Sequence, residues 1–183
     1  MPPPLLVTFA GLASGPWRID RLEAVRGEGL PPAAALGFGP AAPAGALWSL
    51  KGVVSHPRYA TTAEMRTLAG VQQGLGRPEA ACAALIPIRK SDAWWSLAQD
   101  ERRAVFEERS RHTARSLRTL PAVARRLHHA RDLGEPFDFL TWFEFAPEHA
   151  PLFEELVAEL RATEEWSFVE REVDIRLTRA VGQ

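Results

Sequence analysis

The sequence predicts an α+β fold, in which an antiparallel sheet carries helices on one face. Apolar residues alternate along 137–145 and along 169–177, as they do in half-buried strands. They recur at helical spacing along 151–161, which indicates an amphipathic helix. A turn-rich segment, 131–136, joins two predicted strands and indicates a hairpin connection.

The second part of the chain, residues 79–183, contains six predicted elements in the order βαββαβ. They are a strand at 81–88, a helix at 100–120 that ends before Pro121, strands at 123–130 and 137–145, a helix at 151–161 and a strand at 169–177. This order is that of the ferredoxin-like arrangement. We therefore expect residues 79–183 to form one ferredoxin-like half.

The first part, residues 1–78, is predicted to be a shortened second half of the same kind. It contains a strand at 5–12, an irregular or helical piece at 17–26, a loop rich in Gly, Pro and Ala at 27–45, a strand at 47–54 and a helix that runs to about residue 74. Thr61 and Glu64 have capping-box spacing, so Thr61 is the predicted N-cap of this helix. Together the halves predict a protein of the dimeric α/β-barrel type.

Composition excludes several classes of function. The 183 residues carry a formal net charge of −1, whereas a nucleic-acid-binding protein needs a basic face. The only cysteine, Cys82, lies in an apolar run and is expected to be a buried thiol, which excludes an intrachain disulfide. No apolar run is long enough to span a membrane and no secretory signal is visible, so a cytoplasmic location is expected.

His112 is the candidate metal ligand of the predicted helix 100–120. It follows Val105 by seven residues and so lies within about 20° of it, at the border of the buried face and beside Ser116. A neutral imidazole in this position can bind haem iron, although most such histidines only pack in a core. His128 and His129 compete with it. They are adjacent on a predicted strand, so only one of them can face a given pocket.

Five stretches of the sequence stand out in order and spacing: 86–95 (IPIRKSDAWW), 111–113 (RHT), 125–129 (RRLHH), 138–144 (DFLTWFE) and 163–166 (TEEW). Together they resemble the chlorite dismutase family, and the absence of a longer N-terminal domain resembles its short, dimeric branch. The resemblance implies two ferredoxin-like halves, haem b in the C-terminal half, and a homodimer. It also implies conversion of chlorite to chloride and dioxygen, by oxygen transfer to the ferric haem and recombination with hypochlorite.

The resemblance also implies the axial residues of the haem site. His112 matches the proximal histidine, and Glu165 matches the carboxylate that accepts a hydrogen bond from it. Arg125 matches the distal arginine, which would hold the chlorite anion. From the residues alone, Arg126 could take the place of Arg125, and Glu164 that of Glu165. Strand alternation would allow only one of the two arginines into the pocket.

Further residues are implied to hold or surround the haem. Lys90 would pair with a haem propionate, and Trp94 and Trp95 would pack against the macrocycle. Gln72 matches a glutamine near the distal arginine.

Two other functions compete with chlorite turnover. Coproheme decarboxylases are similar in fold, but their pattern has a radical-forming tyrosine where this sequence has Ile86, and the only tyrosine here is Tyr59. They also typically lack the distal arginine that Arg125 matches. A haem carrier or sensor, or a ferredoxin-like module that binds nothing, is the second alternative.

Overall fold

The computed structural model describes residues 6–54, 61–71 and 74–181. The strands in these ranges are β1 (Leu6–Leu12), β2 (Trp17–Arg26), β3 (Ala35–Gly39), β4 (Trp48–Val54), β5 (Cys82–Lys90), β6 (Val123–His129), β7 (Phe139–Phe145) and β8 (Val169–Arg179). The α-helices are α1 (Thr62–Val71), α2 (Asp92–Ser96), α3 (Gln99–Arg103), α4 (His112–Leu117) and α5 (Ala150–Arg161). None of the described helices is long and apolar enough to cross a membrane.

The strands close into a barrel in the order β1-β3-β2-β8-β5-β7-β6-β4, and neighbouring described strands pair antiparallel. The last four strands of the chain are adjacent as β8-β5-β7-β6, with α5 between β7 and β8 in sequence. The predicted ferredoxin-like α+β fold is confirmed. The division of the chain between residues 78 and 79 stays a prediction.

The barrel has an apolar interior and a second apolar layer outside it. Strand alternation divides β7 between the two, because Leu140 and Trp142 lie in the interior cluster whereas Phe143 and Phe145 lie in the outer one. The outer layer also contains the stripe of α5, formed by Phe153, Leu156, Val157 and Leu160. Burial of each such side chain stabilises the fold by about 1.5–3 kcal/mol, so α5 is fixed firmly over this face of the sheet.

Two predictions for the N-terminal part are wrong. Residues 17–26, predicted to be irregular or helical, form strand β2, which pairs with β8 from Trp17 to Arg26. Most of its side chains are exposed or half-buried, so its sequence lacks a clear apolar alternation. The predicted loop 27–45 contains the short strand β3, which pairs with both β1 and β2. Pairing on both edges stabilises a glycine-containing strand that its own sequence does not favour.

The start of α1 follows the sequence prediction. Thr61 Oγ1 accepts a hydrogen bond from the Glu64 amide at 3.3 Å, and Glu64 Oε2 accepts one from the Thr61 amide at 2.6 Å. The predicted capping box is confirmed. The predicted helix 100–120 is not continuous, since a π-helical segment (Ala104–Arg109) and an interruption separate α3 from α4.

Ion pairs attach α5 to the last strand. Arg161 of α5 donates hydrogen bonds of 2.8 Å to both Glu172 and Asp174, which are fully buried on β8. Arg176 also pairs with Asp174 and with Glu154 of α5. Burial raises the pKa of Asp174, but the hydrogen bonds and charges of Arg176 and Arg161 outweigh it, so that the pKa lies below its ordinary value of 3.8.

We expect Asp174→Asn to lower the free energy of unfolding at pH 7 by about 1–3 kcal/mol, because both arginines lose one of two acidic partners. A carboxyl whose pKa is lowered by folding stabilises the fold above its unfolded pKa, and this stabilisation is lost as the pH falls through the folded value. The variant should therefore lose less stability than the wild type below about pH 3.8. Urea unfolding between pH 2 and 7 measures this, with Asp20→Asn, in a more exposed ion pair, as the control. Equal acid sensitivity of Asp174→Asn and wild type would contradict the prediction.

Candidate functional site

A cavity of about 360 Å³ lies between the outer face of the sheet and helices α4 and α5. Its wall is mainly apolar and is formed by side chains of β5, β7 and α5, namely Ile86, Ile88, Phe139, Phe143, Leu156, Val157 and Leu160. Cavities that bind small molecules and cofactors commonly measure about 300–1,000 Å³ and have a few polar groups in apolar walls. The cavity therefore has the size and the lining of a ligand site.

His112 lies on the cavity wall as the first residue of α4. Its Nδ1 donates a hydrogen bond of 2.7 Å to Glu165, which is 2% exposed. Glu165 begins the 3₁₀ segment Glu165–Phe168, directly before β8. Histidines that bind metals commonly donate their second ring N–H to a carboxylate in this way. Because Nδ1 is committed to Glu165, Nε2 is the ring nitrogen left for a metal.

Glu165 has a second cationic partner inside the protein. Lys90, 4% exposed, places its Nζ 2.7 Å from Glu165 Oε1 and 3.5 Å from the ring centroid of Trp94. Burial raises the pKa of Glu165, but the charges of and hydrogen bonds from His112 and Lys90 outweigh it and lower the pKa to about 2. Burial lowers the pKa of Lys90, and the charge of Glu165 partly offsets this. Glu165 is thus an anion at any physiological pH, held between two nitrogen donors.

The neighbouring Glu164 is in a different environment. Its side chain is 43% exposed and it pairs with Arg109 at 3.0 Å, on the surface. The structure therefore separates the two glutamates: Glu165 contacts His112 and Glu164 does not.

The two tryptophans occupy different positions. Trp94 is buried on the cavity wall, whereas Trp95 lies beside the wall residue Phe139, with 6.0 Å between ring centroids. Trp95 donates its indole N–H to Asp138 at 3.2 Å, and the guanidinium of Arg131 lies 4.0 Å from its ring centroid. The predicted contacts of Trp94 and Trp95 with a haem stay predictions. The pairing of Lys90 with a propionate also stays a prediction. In the structure, the Nζ of Lys90 pairs with Glu165.

Arg125 and Arg126 both contribute to the cavity wall, contrary to the expectation that only one would enter it. Arg125 is half-buried, and Arg126 is exposed. Among the described residues, β4 pairs with β6 only at His128 and His129, so none of them pairs with Arg126. The long side chain of Arg126 reaches the edge of the cavity. Burial lowers the pKa of Arg125 to about 10, which leaves it positively charged at neutral pH.

The competing histidines face in opposite directions, as alternation predicts. His129 lies on the cavity wall. His128 is buried on the barrel side, with its ring centroid 5.1 Å from that of Phe9 and its Nδ1 donating to the Leu140 carbonyl at 3.1 Å. His129 is therefore the alternative ligand for anything bound in the cavity.

Sequence reasoning placed Ser116 beside His112 but did not identify the contact of Phe106 with the imidazole. The ring of Phe106 stacks on the imidazole at 4.4 Å between centroids, although a separation of six residues places two side chains far apart on a regular helix. Thr113 and Ser116 also line the cavity, and Ser116 Oγ is buried without a hydrogen-bonding partner among the described residues. Gln72, a predicted site residue, lies outside the described residues.

Comparisons with known proteins agree with this fold. The chlorite dismutase family model matches residues 43–181. A dimeric chlorite dismutase from Nitrobacter winogradskyi is 60% identical in sequence and superposes with a TM-score of 0.91, over 95% of this chain and 99% of that one. A variant chlorite dismutase from Candidatus Nitrospira defluvii, in complex with cyanide, is 22% identical with a TM-score of 0.69, over 96% and 90% of the two chains, and supports the fold alone.

A chlorite dismutase from Ideonella dechloratans is 37% identical over 62 residues, which are 34% of this chain. The match spans only 20% of the length of that curated relative.

Fold and site define an α+β barrel protein with a ligand cavity between the sheet and its helices, and with a histidine–carboxylate pair on the cavity wall. Within this class, the family model and the 60% identical structure identify the family. The chain belongs to the chlorite dismutase family.

Proposed function

We propose that this protein is a haem b enzyme that converts chlorite to chloride and dioxygen, and that it works as a homodimer. The observation that carries the proposal is the pair of His112 and Glu165, 2.7 Å apart, on the wall of an apolar cavity that Arg125 also lines. The dimer is proposed from the 60% identical relative, which is described as dimeric.

The residues of the cavity fit a haem. Apolar side chains from the sheet and α5 would suit the faces of a macrocycle, and His112 Nε2 would bind its iron. Ser116 Oγ, which is buried and has no hydrogen-bonding partner among the described residues, is a polar group that a bound ligand can satisfy. A bound haem would supply the redox chemistry of its iron for the reaction of chlorite.

His112, Glu165 and Lys90 act as one unit in this proposal. Glu165 accepts the Nδ1 proton of His112 in a short hydrogen bond, which increases the electron density that the imidazole donates through Nε2. Lys90 fixes the other carboxylate oxygen and keeps Glu165 ionised. The chain thereby supplies a strongly donating ligand that favours high oxidation states of a bound iron.

Arg125 binds the anions in this proposal. Its guanidinium is a permanent cation with a planar set of donors, which suits a small oxyanion such as chlorite. The same charge would hold the hypochlorite anion in the cavity and so limit its escape. Gln72 is proposed to assist near Arg125, from the sequence resemblance.

Ile86 argues against decarboxylation of coproheme. This side chain lies on the cavity wall where that reaction would need a phenol, and an aliphatic side chain cannot form a phenoxyl radical. Arg125, a cation on an otherwise mainly apolar wall, favours an enzyme that acts on anions over a simple haem carrier.

Dioxygen evolution tests the proposal. A Clark-type electrode measures the oxygen released when chlorite is added to the haem-loaded protein. We expect rapid evolution of close to one O₂ per chlorite. A protein that binds haem but releases no oxygen would contradict the enzymatic function and favour a carrier or sensor.

We expect Arg125→Ala to retain haem but to turn over chlorite about 10- to 100-fold more slowly, because it loses a charge-assisted interaction of about 1.5–3 kcal/mol with the anion. The variant should also inactivate sooner, since hypochlorite escapes. Initial rates and total oxygen per haem measure the two effects. Arg89→Ala, which removes an exposed arginine that pairs with Glu170 and does not line the cavity, is the control and should stay close to wild type; an equal loss in both variants would remove the special role of Arg125.

A further inference from the structure

The helix that carries His112 is interrupted immediately before this residue. In the π-helical segment Ala104–Arg109 the hydrogen bonds are shifted by one residue, and the Ser110 amide donates to the Val105 carbonyl at 3.1 Å. Arg111 then adopts a left-handed conformation with φ of 53°, and α4 begins at His112. A non-glycine residue is strained in this conformation, which persists only where the surrounding structure holds it.

Glu107 stabilises the first turn of α4 from the far side of the interruption. Its Oε2 accepts the Thr113 amide at 2.7 Å and its Oε1 accepts the Ala114 amide at 3.3 Å. These amides belong to the first turn of a helix, where backbone donors have no partner within the helix. Glu107 thus takes the role of a helix cap, although it lies five residues before His112.

Ser110 connects the same interruption to Glu165. Its side chain is 1% exposed, and its Oγ accepts the Glu165 amide at 3.0 Å. Its carbonyl accepts a hydrogen bond of 3.0 Å from Arg115 of α4. The segment 107–110 therefore fixes the backbone next to His112 and the backbone of Glu165.

We infer that Glu107 and Ser110 are positioning residues that set the relative placement of His112 and Glu165, and thereby the strength of the Nδ1–H hydrogen bond and of the bond from His112 to iron. The inference rests on the proposed function for its second part. Neither residue belongs to the cavity wall, so each acts through the histidine–carboxylate pair and not on a bound ligand.

Loss of a hydrogen bond at the interruption should change the placement of His112 against Glu165. In Glu107→Gln, one of the two acceptor atoms becomes an NH₂ group, which cannot accept a backbone N–H. In Ser110→Ala, the buried amide of Glu165 loses its acceptor. Both changes should therefore loosen the contact between His112 and Glu165 without removing either partner.

The test uses the protein in two forms. In the haem-loaded ferrous protein, resonance Raman spectroscopy measures the iron–histidine stretching frequency, which rises with the imidazolate character of the ligand. We expect Glu107→Gln and Ser110→Ala to lower this frequency and to release haem several-fold faster to apomyoglobin. In the haem-free form of the two variants, NMR should show that the hydrogen-bonded Nδ1 proton of His112 lies upfield of its wild-type position and exchanges faster with water.

The controls are matched in charge and location. Glu108→Gln changes the adjacent exposed carboxylate, and Glu154→Gln removes an exposed carboxylate of α5 that pairs with Arg176. Both should keep the wild-type frequency and proton resonance. If Glu107→Gln does not fold, Ser110→Ala, which deletes a single oxygen atom, decides the question.

Wild-type frequency and an unchanged Nδ1 proton in the two test variants would overturn the inference. A wild-type protein that binds no haem would refute the proposed function instead. The haem-free NMR measurement would then still decide whether Glu107 and Ser110 place His112 against Glu165.

Discussion

Replacement of His112 with alanine is expected to abolish stable haem binding. The imidazole is the only donor on the cavity wall whose second nitrogen is held by a buried carboxylate, within the part of the chain that the structure describes. Loss of a residue that only supports a metal ligand commonly costs about 10- to 100-fold in metal affinity, so loss of the ligand itself should cost more than about 100-fold. Haem titration followed by absorbance, with transfer to apomyoglobin for the off-rate, measures the change.

His129→Ala is the matched control, because His129 lies on the same wall. It should bind haem with nearly wild-type affinity. Added imidazole should partly restore haem binding to His112→Ala, since it can replace the missing ring in the space that truncation opens. If instead His112→Ala binds haem normally and His129→Ala does not, His129 is the ligand, and the pair of His112 and Glu165 has only a structural role.

The sequence predicted best those parts of the fold in which burial imposes a clear period. Strand β7 divides its residues between the barrel interior and the outer layer, and α5 buries a single stripe, so both carry a visible pattern. Strands β2 and β3 do not. The first is mostly exposed or half-buried, and the second contains glycines and depends on pairing with β1 and β2, a contact that no local pattern records.

The candidate site was likewise predicted only in part. The resemblance to the family placed His112, Glu165 and Arg125 by their matching motifs, and the structure brings the first two into contact and all three to one cavity. The partner of Lys90 was not predicted, because a contact between residues 75 positions apart depends on the tertiary fold. The interruption at Arg111 also escaped prediction, since neither glycine nor proline marks it and a left-handed arginine contradicts local preference.

Replacement of Glu165 with leucine is expected to lower the free energy of unfolding of the haem-free protein by about 3–5 kcal/mol. The variant leaves Lys90, 4% exposed, without the carboxylate that pairs with its Nζ. The position beside Trp94 compensates only in part, because attraction between a cation and an aromatic ring amounts to about 2 kcal/mol when desolvated. Urea unfolding at pH 7 measures the change, and Glu164→Leu, in an exposed pair with Arg109, should cost at most about 1 kcal/mol.

The double variant Lys90→Met/Glu165→Leu distinguishes the contribution of the ion pair to stability from the contributions of its two residues. Two apolar side chains of similar volume remove both buried charges, and such replacements are often neutral or stabilising. The double variant should therefore recover most of the stability that Glu165→Leu loses, which in a double-mutant cycle corresponds to a strong coupling between the two positions. Such a protein, stable but without the carboxylate that accepts the Nδ1 proton of His112, should bind haem more weakly than wild type. Recovery of stability without recovery of haem affinity would show that the buried ion pair is retained for the ligand it supports, whereas recovery of both would assign Glu165 to the fold alone.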